Sequence, residues 1–574
     1  EWLEHIFFPY DEYGYALANL RRGLVPPLSG SFNNPFRHCM GSPIRSEIWA
    51  MIAPGMPHVA AYYAYQDAIV DHAGGEGVYG EMFFAAIESA AFVESDRDRL
   101  IATGLRHIPA TCRTAQAVQD LLECHRQGKT WTEAREWIIR RHGHPNFTDA
   151  PQNIAFTLLG WLYGEDFGDA LLKAVNCGYD TDCTGATLGA ILGIIAGKDG
   201  LPEQWVAPVG DRVVVSPPIK GFPAPQSLDE LTQRTMRIGR EIAAYWNDAA
   251  PEEQEKLKSV RDASPEVSVF PFPRGAAADS GLALAVDYGP DGPAIGLGQT
   301  KRLHLTLHNR SLETWEGWLE LSVPSDWREV PKRPFRLEAG CSLEWNVELK
   351  AGAVPRVSHE LAVMVCRTHD DAPWHTEKVP FVLIGAAHWL LFAPDNDRGV
   401  PAAAAGNRVP FAEVLHTDKP GVYKAATRLF IPGDRELRLV IATSAPVKAA
   451  LNGRTIVADD KEAAFMPAFH RAPASRCVTL PIAAGEHRLE LEIVKKDRPL
   501  EVYVLPVSSK SKKQPGSYYY LTDVLFLPVD NAIASADGGT ASESASKSDS
   551  EAGETVSVLA GNSAGETDGV SDGE

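Results

Sequence analysis

Two carboxylates, Asp180 and Asp182, stand two residues apart in the stretch 176–197, with hydroxyls beside them at Thr181 and Thr184. Carboxylate and hydroxyl oxygens are hard donors, the set that suits Mg²⁺ or Mn²⁺. The same residues have another use at a helix start. Asp182 or Thr184 can cap backbone N–H groups, which leaves Asp180 as a turn residue. Behind them Gly185, Gly189, Gly193 and Gly197 recur every four residues. On a helix that spacing makes one glycine face, and each glycine costs roughly 1 kcal/mol relative to alanine. Capping needs no such face, whereas close approach of another helix or of a ligand does. The segment therefore reads as a loop-to-helix junction at the edge of a binding site.

The elements that must position this junction are helical. Apolar residues recur at helical spacing over 48–56, 59–72, 79–93, 114–127 and 155–163, which predicts an all-α domain over residues 1–245. Thr130 and Glu133 have capping-box spacing and predict a helix through Arg141 that Gly143 closes. A short strand is expected at 212–216. Near residue 265 the pattern changes to alternation, as in 303–308, 318–323 and 345–349, and turn residues separate the segments. That predicts an immunoglobulin-like β-sandwich over 265–385. A second sandwich, jelly-roll-like, is expected over 386–528, from the alternation at 437–442 and 487–493 and the Asn452-Gly453 turn. Residues 529–574 are Ser-, Gly- and acid-rich and predict a disordered tail. Trp315, Trp318, Trp327, Trp345, Trp374 and Trp389 cluster in or beside the first β unit. Core filling is the expected use of such residues, with sugar stacking as the alternative.

Charge and composition narrow the partners. The chain of 574 residues has a formal charge of -20, and residues 531–574 hold nine acidic residues against Lys547 alone. No basic stripe is present to neutralise phosphates, so nucleic acid is not an expected partner. No apolar run approaches the ~20 residues that cross a bilayer, so no membrane span is expected. The eight cysteines are scattered without a CxxC pair, a usage that favours a reducing, cytoplasmic compartment.

The run 178–189, Gly-Tyr-Asp-Thr-Asp-Cys-Thr-Gly-Ala-Thr-Leu-Gly, resembles the C-terminal metal motif of the ADP-ribosylglycohydrolases, the family of dinitrogenase-reductase-activating glycohydrolase. The segments 2–5, 41–50, 53–55, 71–72 and 77–83 follow a bacterial branch of that family in order and spacing. The resemblance, which covers residues 1 to about 240, implies an all-α fold with two Mg²⁺ (or Mn²⁺) ions at the base of a cleft. It implies hydrolysis of the bond between ADP-ribose and an acceptor. Carried over by position, Asp180 and Asp182 fall on catalytic metal-ligand carboxylates. Cys183 falls where better-known members place a ligand threonine; a thiol suits a hard cation poorly, and Thr184 is the expected substitute. Gly41, Ser42, Arg45, His72, Asn153, Gly178, Tyr179 and Gly185 fall on substrate-lining positions.

The family's other metal ligands sit upstream of the Gly41 region in a Thr-Asp-Asp type motif. Asp11-Glu12 does not match it, and Thr148-Asp149-Ala150 falls elsewhere in the order. The expectation is an N-terminally shortened chain that holds half of the metal site and is inactive as it stands. The alternatives are an ADP-ribose or nucleotide binder without turnover, and a carbohydrate-binding surface protein acting through its β units. The acceptor in the ADP-ribosyl bond is not legible in these residues.

Overall fold

The computed structural model describes residues 2–248, 281–369, 372–508 and 518–529. From residue 530 onward the expected disordered tail lies outside the described residues, as does the side chain of Trp374. The N-terminal part is helical. Its helices are α1 (Trp2–His5), α2 (Asp11–Arg21), α3 (Leu28–Ser31), α4 (Ser46–Ile52), α5 (Pro57–Ala68), α6 (Glu76–Ala91) and α7 (Arg97–Arg106). They continue with α8 (Arg113–Arg126), α9 (Trp131–His142), α10 (Ala150–Tyr163), α11 (Phe167–Asn176), α12 (Thr181–Ala196), α13 (Glu203–Val206) and α14 (Leu228–Asp248).

Two of these, α6 and α10, are apolar on nearly every face and buried along almost their whole length. Such helices belong at the centre of a bundle. Around them pack Val59, Ala64 and Tyr65 of α5, Leu100 of α7, Leu121 of α8, Ile138 of α9 and Leu188 of α12. The capping box at Thr130 and Glu133 is present with both of its hydrogen bonds, and Gly143 is the C-cap. The expected strand at 212–216 does not form. Arg212 makes a single antiparallel bridge to Ser227, too little pairing to propagate a ladder.

The β region contains several sheets, antiparallel except for one short parallel pair, Ala294–Ile295 with the end of Ala372–Gly385. Strands Leu282–Asp287, Thr300–Asn309 and Ser342–Lys350 make one. A five-stranded sheet contributes Leu319, Leu321, Leu361, Val363 and Leu383 to the same core as Leu303, Leu305 and Val347 of the first. Trp315, Trp327 and Trp345 are buried in that core, and Trp389 is buried in the next one, so packing is the use these four are put to. Trp318 is exposed. Further along, Arg435–Thr443 pairs with Cys477–Ile482 and Val502–Ser508. A larger sheet is centred on Gly421–Ile431 and Gly485–Lys495. The hairpin between Val447–Leu451 and Arg454–Asp459 turns at Asn452 and Gly453, whose φ values of 50° and 78° are those a two-residue turn of this hand needs.

Helical and β parts share an apolar core. Tyr15 and Ala18 of α2, with Phe36 and Cys39, pack against Val440, Ala442, Phe469, Leu505, Val507 and Tyr520. The Tyr15 hydroxyl donates to the Pro467 carbonyl at 2.7 Å, across 452 residues of sequence.

The glycine face of α12 is less demanding than its spacing suggests. A Cβ on Gly185 would meet Val175 of α11 at 3.1 Å, but on Gly189 the nearest atom would be a Leu171 methyl at 3.7 Å. Gly193 has comparable room, and Gly197 is explained by its φ of 67° as the helix C-cap. The close approach lies instead on α10, where a Cβ at Gly160 would stand 2.5 Å from the Ala170 carbonyl oxygen. Gly160→Ala is expected to lower the stability of the protein by about 1–3 kcal/mol. Gly189→Ala is expected to be neutral or to raise it by up to about 1 kcal/mol. Chemical denaturation of the two variants checks the contrast, and equal losses would contradict it.

Candidate metal and substrate site

The carboxylate junction is built by a tight turn. Gly178 and Tyr179 have φ values of 76° and 66°, so the chain passes two consecutive residues in the left-handed region before entering α12. That conformation is free for glycine and unusual for tyrosine, and it persists where the surrounding structure holds it. The Tyr179 ring rests against Phe156 of α10, 5.6 Å between centroids, and Arg135 Nε donates to the Cys177 carbonyl at 2.8 Å. The Asp180 N–H donates to Asn153 Oδ1 at 3.1 Å. Asn153 in turn donates to the carbonyls of Phe147 and Asp149 at 2.8 and 2.9 Å. One buried amide thus ties the α12 start to the loop before α10.

Asp180 is the N-cap residue of α12, yet its side chain makes no capping hydrogen bond. It is buried and Asp182 exposed, and together with the buried Cys183 their donor atoms lie within 4.8 Å of one another. Burial, set against the hydrogen bond from Cys183 and joined by the charges of Asp182 and Glu12, pushes the Asp180 carboxyl up to about 6. Burial and the same acidic neighbours raise the Cys183 thiol well above its ordinary range. Cys183 therefore stays a neutral thiol hydrogen-bonded to Asp180. Two crowded carboxylates with hard oxygens fit a divalent cation, whose charge would relieve their repulsion. Thr184, the other expected ligand, follows them in the first turn of the helix. Its hydroxyl is fully buried and donates to the Thr181 carbonyl at 3.1 Å, because the fourth residue of the helix faces the core. Gly185 faces Val175. Among the described residues this is the one group of three such donors close enough to share an ion.

Beneath the cluster lies a buried ionic network. Arg45 donates to Asp67 at 2.6 Å and to both oxygens of Asp71 at 2.7 and 3.0 Å. His72 Nδ1 is 2.6 Å from Asp71 Oδ1, and its Nε2 is 3.6 Å from Glu12 Oε1. Burial opposes charge on His72, but Asp71 and Glu12 prevail and raise it to about 9. Burial likewise opposes charge on Asp71, and Arg45 and His72 hold it at about 2. Ser42 is wholly buried and donates to Glu81, whose other oxygen accepts from Trp49 Nε1 at 2.7 Å. Ser42, Arg45 and His72 thus use these polar atoms inside the protein, where they set the shape of the site. Gly41 completes it, since a Cβ there would fall 1.7 Å from Glu12 Oε1.

Glu12, set aside by sequence pattern, is therefore part of the site, close enough for its charge to act on Asp180, Cys183 and His72. No local motif marks it; only the packing of α2 against the Gly41 loop does. The strand-like pairing of 38–40 with 148–150, with Met40 N–H donating to the Thr148 carbonyl and Ala150 N–H to the His38 carbonyl, both at 2.8 Å, brings that loop beside Asn153.

Residues 2–241 match the model of the ADP-ribosylglycohydrolase family. Its members are glycosyl hydrolases that act on ADP-ribosylated substrates and are generally metal-dependent. An uncharacterized protein of Archaeoglobus fulgidus is 25% identical over 199 residues, 34% of this chain and 60% of that protein. The chain thus spans about 60% of the length of the curated relative it matches. Among solved structures, an anti-sigma factor domain-containing protein is similar at 12% identity over 39% of this chain and 84% of its own, with a TM-score of 0.19. The alfa-L-rhamnosidase of Aspergillus terreus is similar at 13% identity over 42% of this chain and 28% of its own, with a TM-score of 0.16. All eight cysteines are unpaired, and among the described residues no helix is long and apolar enough to cross a membrane.

The network has a pH signature. A histidine held near 9 when folded and near 6.5 when unfolded contributes stability that is complete below the unfolded value and lost as pH rises through 9. The stability difference between wild type and His72→Gln should be a few kcal/mol at pH 6 and shrink steadily to pH 10. Thermal unfolding of the pair across that range measures it; a difference independent of pH would refute the charged assignment.

Proposed function

We propose that this protein is a metal-dependent hydrolase that cleaves the glycosidic bond between ADP-ribose and an acceptor, with Asp180 and Asp182 as the cation-holding carboxylates. The observation that carries the reading is the uncapped, buried carboxylate of Asp180 facing Asp182 at the head of α12, within a domain that matches a glycohydrolase family. A divalent Mg²⁺ or Mn²⁺ held there would orient ribose hydroxyls and activate water.

The chain's own residues do the positioning. Asn153 fixes the backbone of Asp180, and the Gly178-Tyr179 turn aims its carboxylate. His72, kept protonated by Asp71, cannot serve as a base near neutral pH; its imidazolium faces the Glu12 carboxylate and holds it toward the cluster. Gly41, Gly178 and Tyr179 are left as the expected residues beside the substrate, with Ser42, Arg45 and Asn153 supporting them from inside. Asp180 and Asp182 would hold one such ion, and the expectation of two rests on the family resemblance.

Calorimetric titration of ADP-ribose into the protein, with Mg²⁺ and then with EDTA, tests the reading. Binding should require the metal and be lost in Asp180→Ala and in Asp182→Ala. Binding untouched by EDTA, or by both substitutions, would overturn it. Release of arginine or serine from the corresponding ADP-ribosylated peptides separates hydrolysis from binding without turnover.

A further inference from the structure

Among the described residues, one loop of the β region brings charge to the edge of the site. Between Arg454–Asp459 and Cys477–Ile482 the chain leaves its sheets and lays Ala468 and Phe469 against the helical domain. Phe469 is 1% exposed, with its ring 5.7 Å from Tyr10 and 5.3 Å from Tyr520. The next two residues carry charge to the edge of the carboxylate cluster. Arg471 Nη2 lies 2.6 Å from Asp11 Oδ2, and its Nη1 donates to Asn146 Oδ1 at 3.2 Å. The guanidinium also stands over the Phe147 ring, 4.5 Å from its centroid. His470 Nε2 is 3.6 Å from the other oxygen of Asp11 and packs against Tyr10.

Two of the residues Arg471 contacts, Asp11 and Phe147, fall one bonded step from a residue of the site. Asp11 has a φ of 42°, uncommon for a residue with a side chain, and it directly precedes Glu12. Phe147 offers its carbonyl to Asn153, the amide that fixes Asp180. One guanidinium, about four-fifths buried, therefore braces both shoulders of the cluster. The planar fork of arginine suits this task, holding a carboxylate and an amide at a fixed angle while stacking on an aromatic face.

We propose that the C-terminal β region is a working part of the site, and that Arg471 is a positioning residue which holds Glu12 and the 146–153 segment in register around Asp180. The inference rests on the reading of Asp180 and Asp182 as the functional site. It gives the β units a role that a spacer would not have. It also assigns to residue 471 a function that no helical-domain motif encodes.

Two measurements on the full chain test it, using Arg471→Ala, Arg471→Lys and Tyr15→Phe. The last removes the Tyr15–Pro467 hydrogen bond at the same interface without touching Asp11 or Asn146. Hydrogen exchange should show protection at 10–13 and 146–153 falling at least tenfold in Arg471→Ala, partly recovered in Arg471→Lys and unchanged in Tyr15→Phe. Metal-dependent ADP-ribose binding should weaken about tenfold or more in the same order. Unchanged exchange in Arg471→Ala, or equal ADP-ribose affinity despite altered exchange, would refute the positioning role. If Arg471→Ala fails to fold, Arg471→Lys against Tyr15→Phe decides by the same readouts. A wild-type protein that binds no ADP-ribose would instead remove the functional reading, while the exchange result still decides whether Arg471 orders the cluster.

Discussion

Three buried ionisable side chains and one half-buried arginine sit under the carboxylate cluster, and the rest of the site depends on how they neutralise one another. Arg45 is the cation, Asp71 the shared anion, His72 a second cation and Glu12 the acid that faces it. Breaking a buried pair of this kind ordinarily costs about 3–5 kcal/mol, because the remaining charge is left without compensation. The network is therefore a constraint on geometry. Asp71 cannot move without giving up its paired contact to Arg45 and its contact to His72, and both cations fix what stands above them. Arg45 secures the Gly41 loop, and His72 faces Glu12.

That constraint explains the small residues around it. Gly41 leaves room for the Glu12 carboxylate, and Gly77 leaves room for the His72 ring, which would lie 2.4 Å from a Cβ. A charge network this closely packed excludes even a methyl group, so glycine here is a requirement of packing as much as of backbone freedom. The same reasoning separates these glycines from those of α12, where a Cβ at 189 or 193 meets only ordinary contact distances.

The features legible in the sequence were local ones. Helical periodicity, the Thr130 capping box, the Asn452-Gly453 turn and the Asp180-Thr181-Asp182 junction each depend on neighbours within a few residues, and each has a physical signature at that range. The glycine spacing of α12 was equally visible but overread, since adding propensity costs says that a face is small without saying what lies opposite. Helix phase likewise turns the Thr184 hydroxyl to donate to the Thr181 carbonyl, a contact that residue type alone does not reveal. Glu12 and Arg471 were illegible because their roles come from tertiary approach. Arg471 lies 325 positions from Asn146, and nothing near residue 471 in sequence marks it.

A loop that crosses from one folded part to another is useful to a site only if its arrival is determined. Here the apolar core formed by Tyr15, Phe36, Phe469, Leu505 and Tyr520 supplies that determination, since burying these rings leaves the loop little freedom. Arg471 is then delivered to Asp11 and Asn146 already oriented, and the entropy of ordering its long side chain is met by packing. An arginine carried on an exposed loop would spend that entropy at the moment of binding, and its ion pair with Asp11 would contribute little in water. The order of the construction is thus physical: the hydrophobic core places the loop, the loop places the guanidinium, and the guanidinium joins two segments that only the fold brings together.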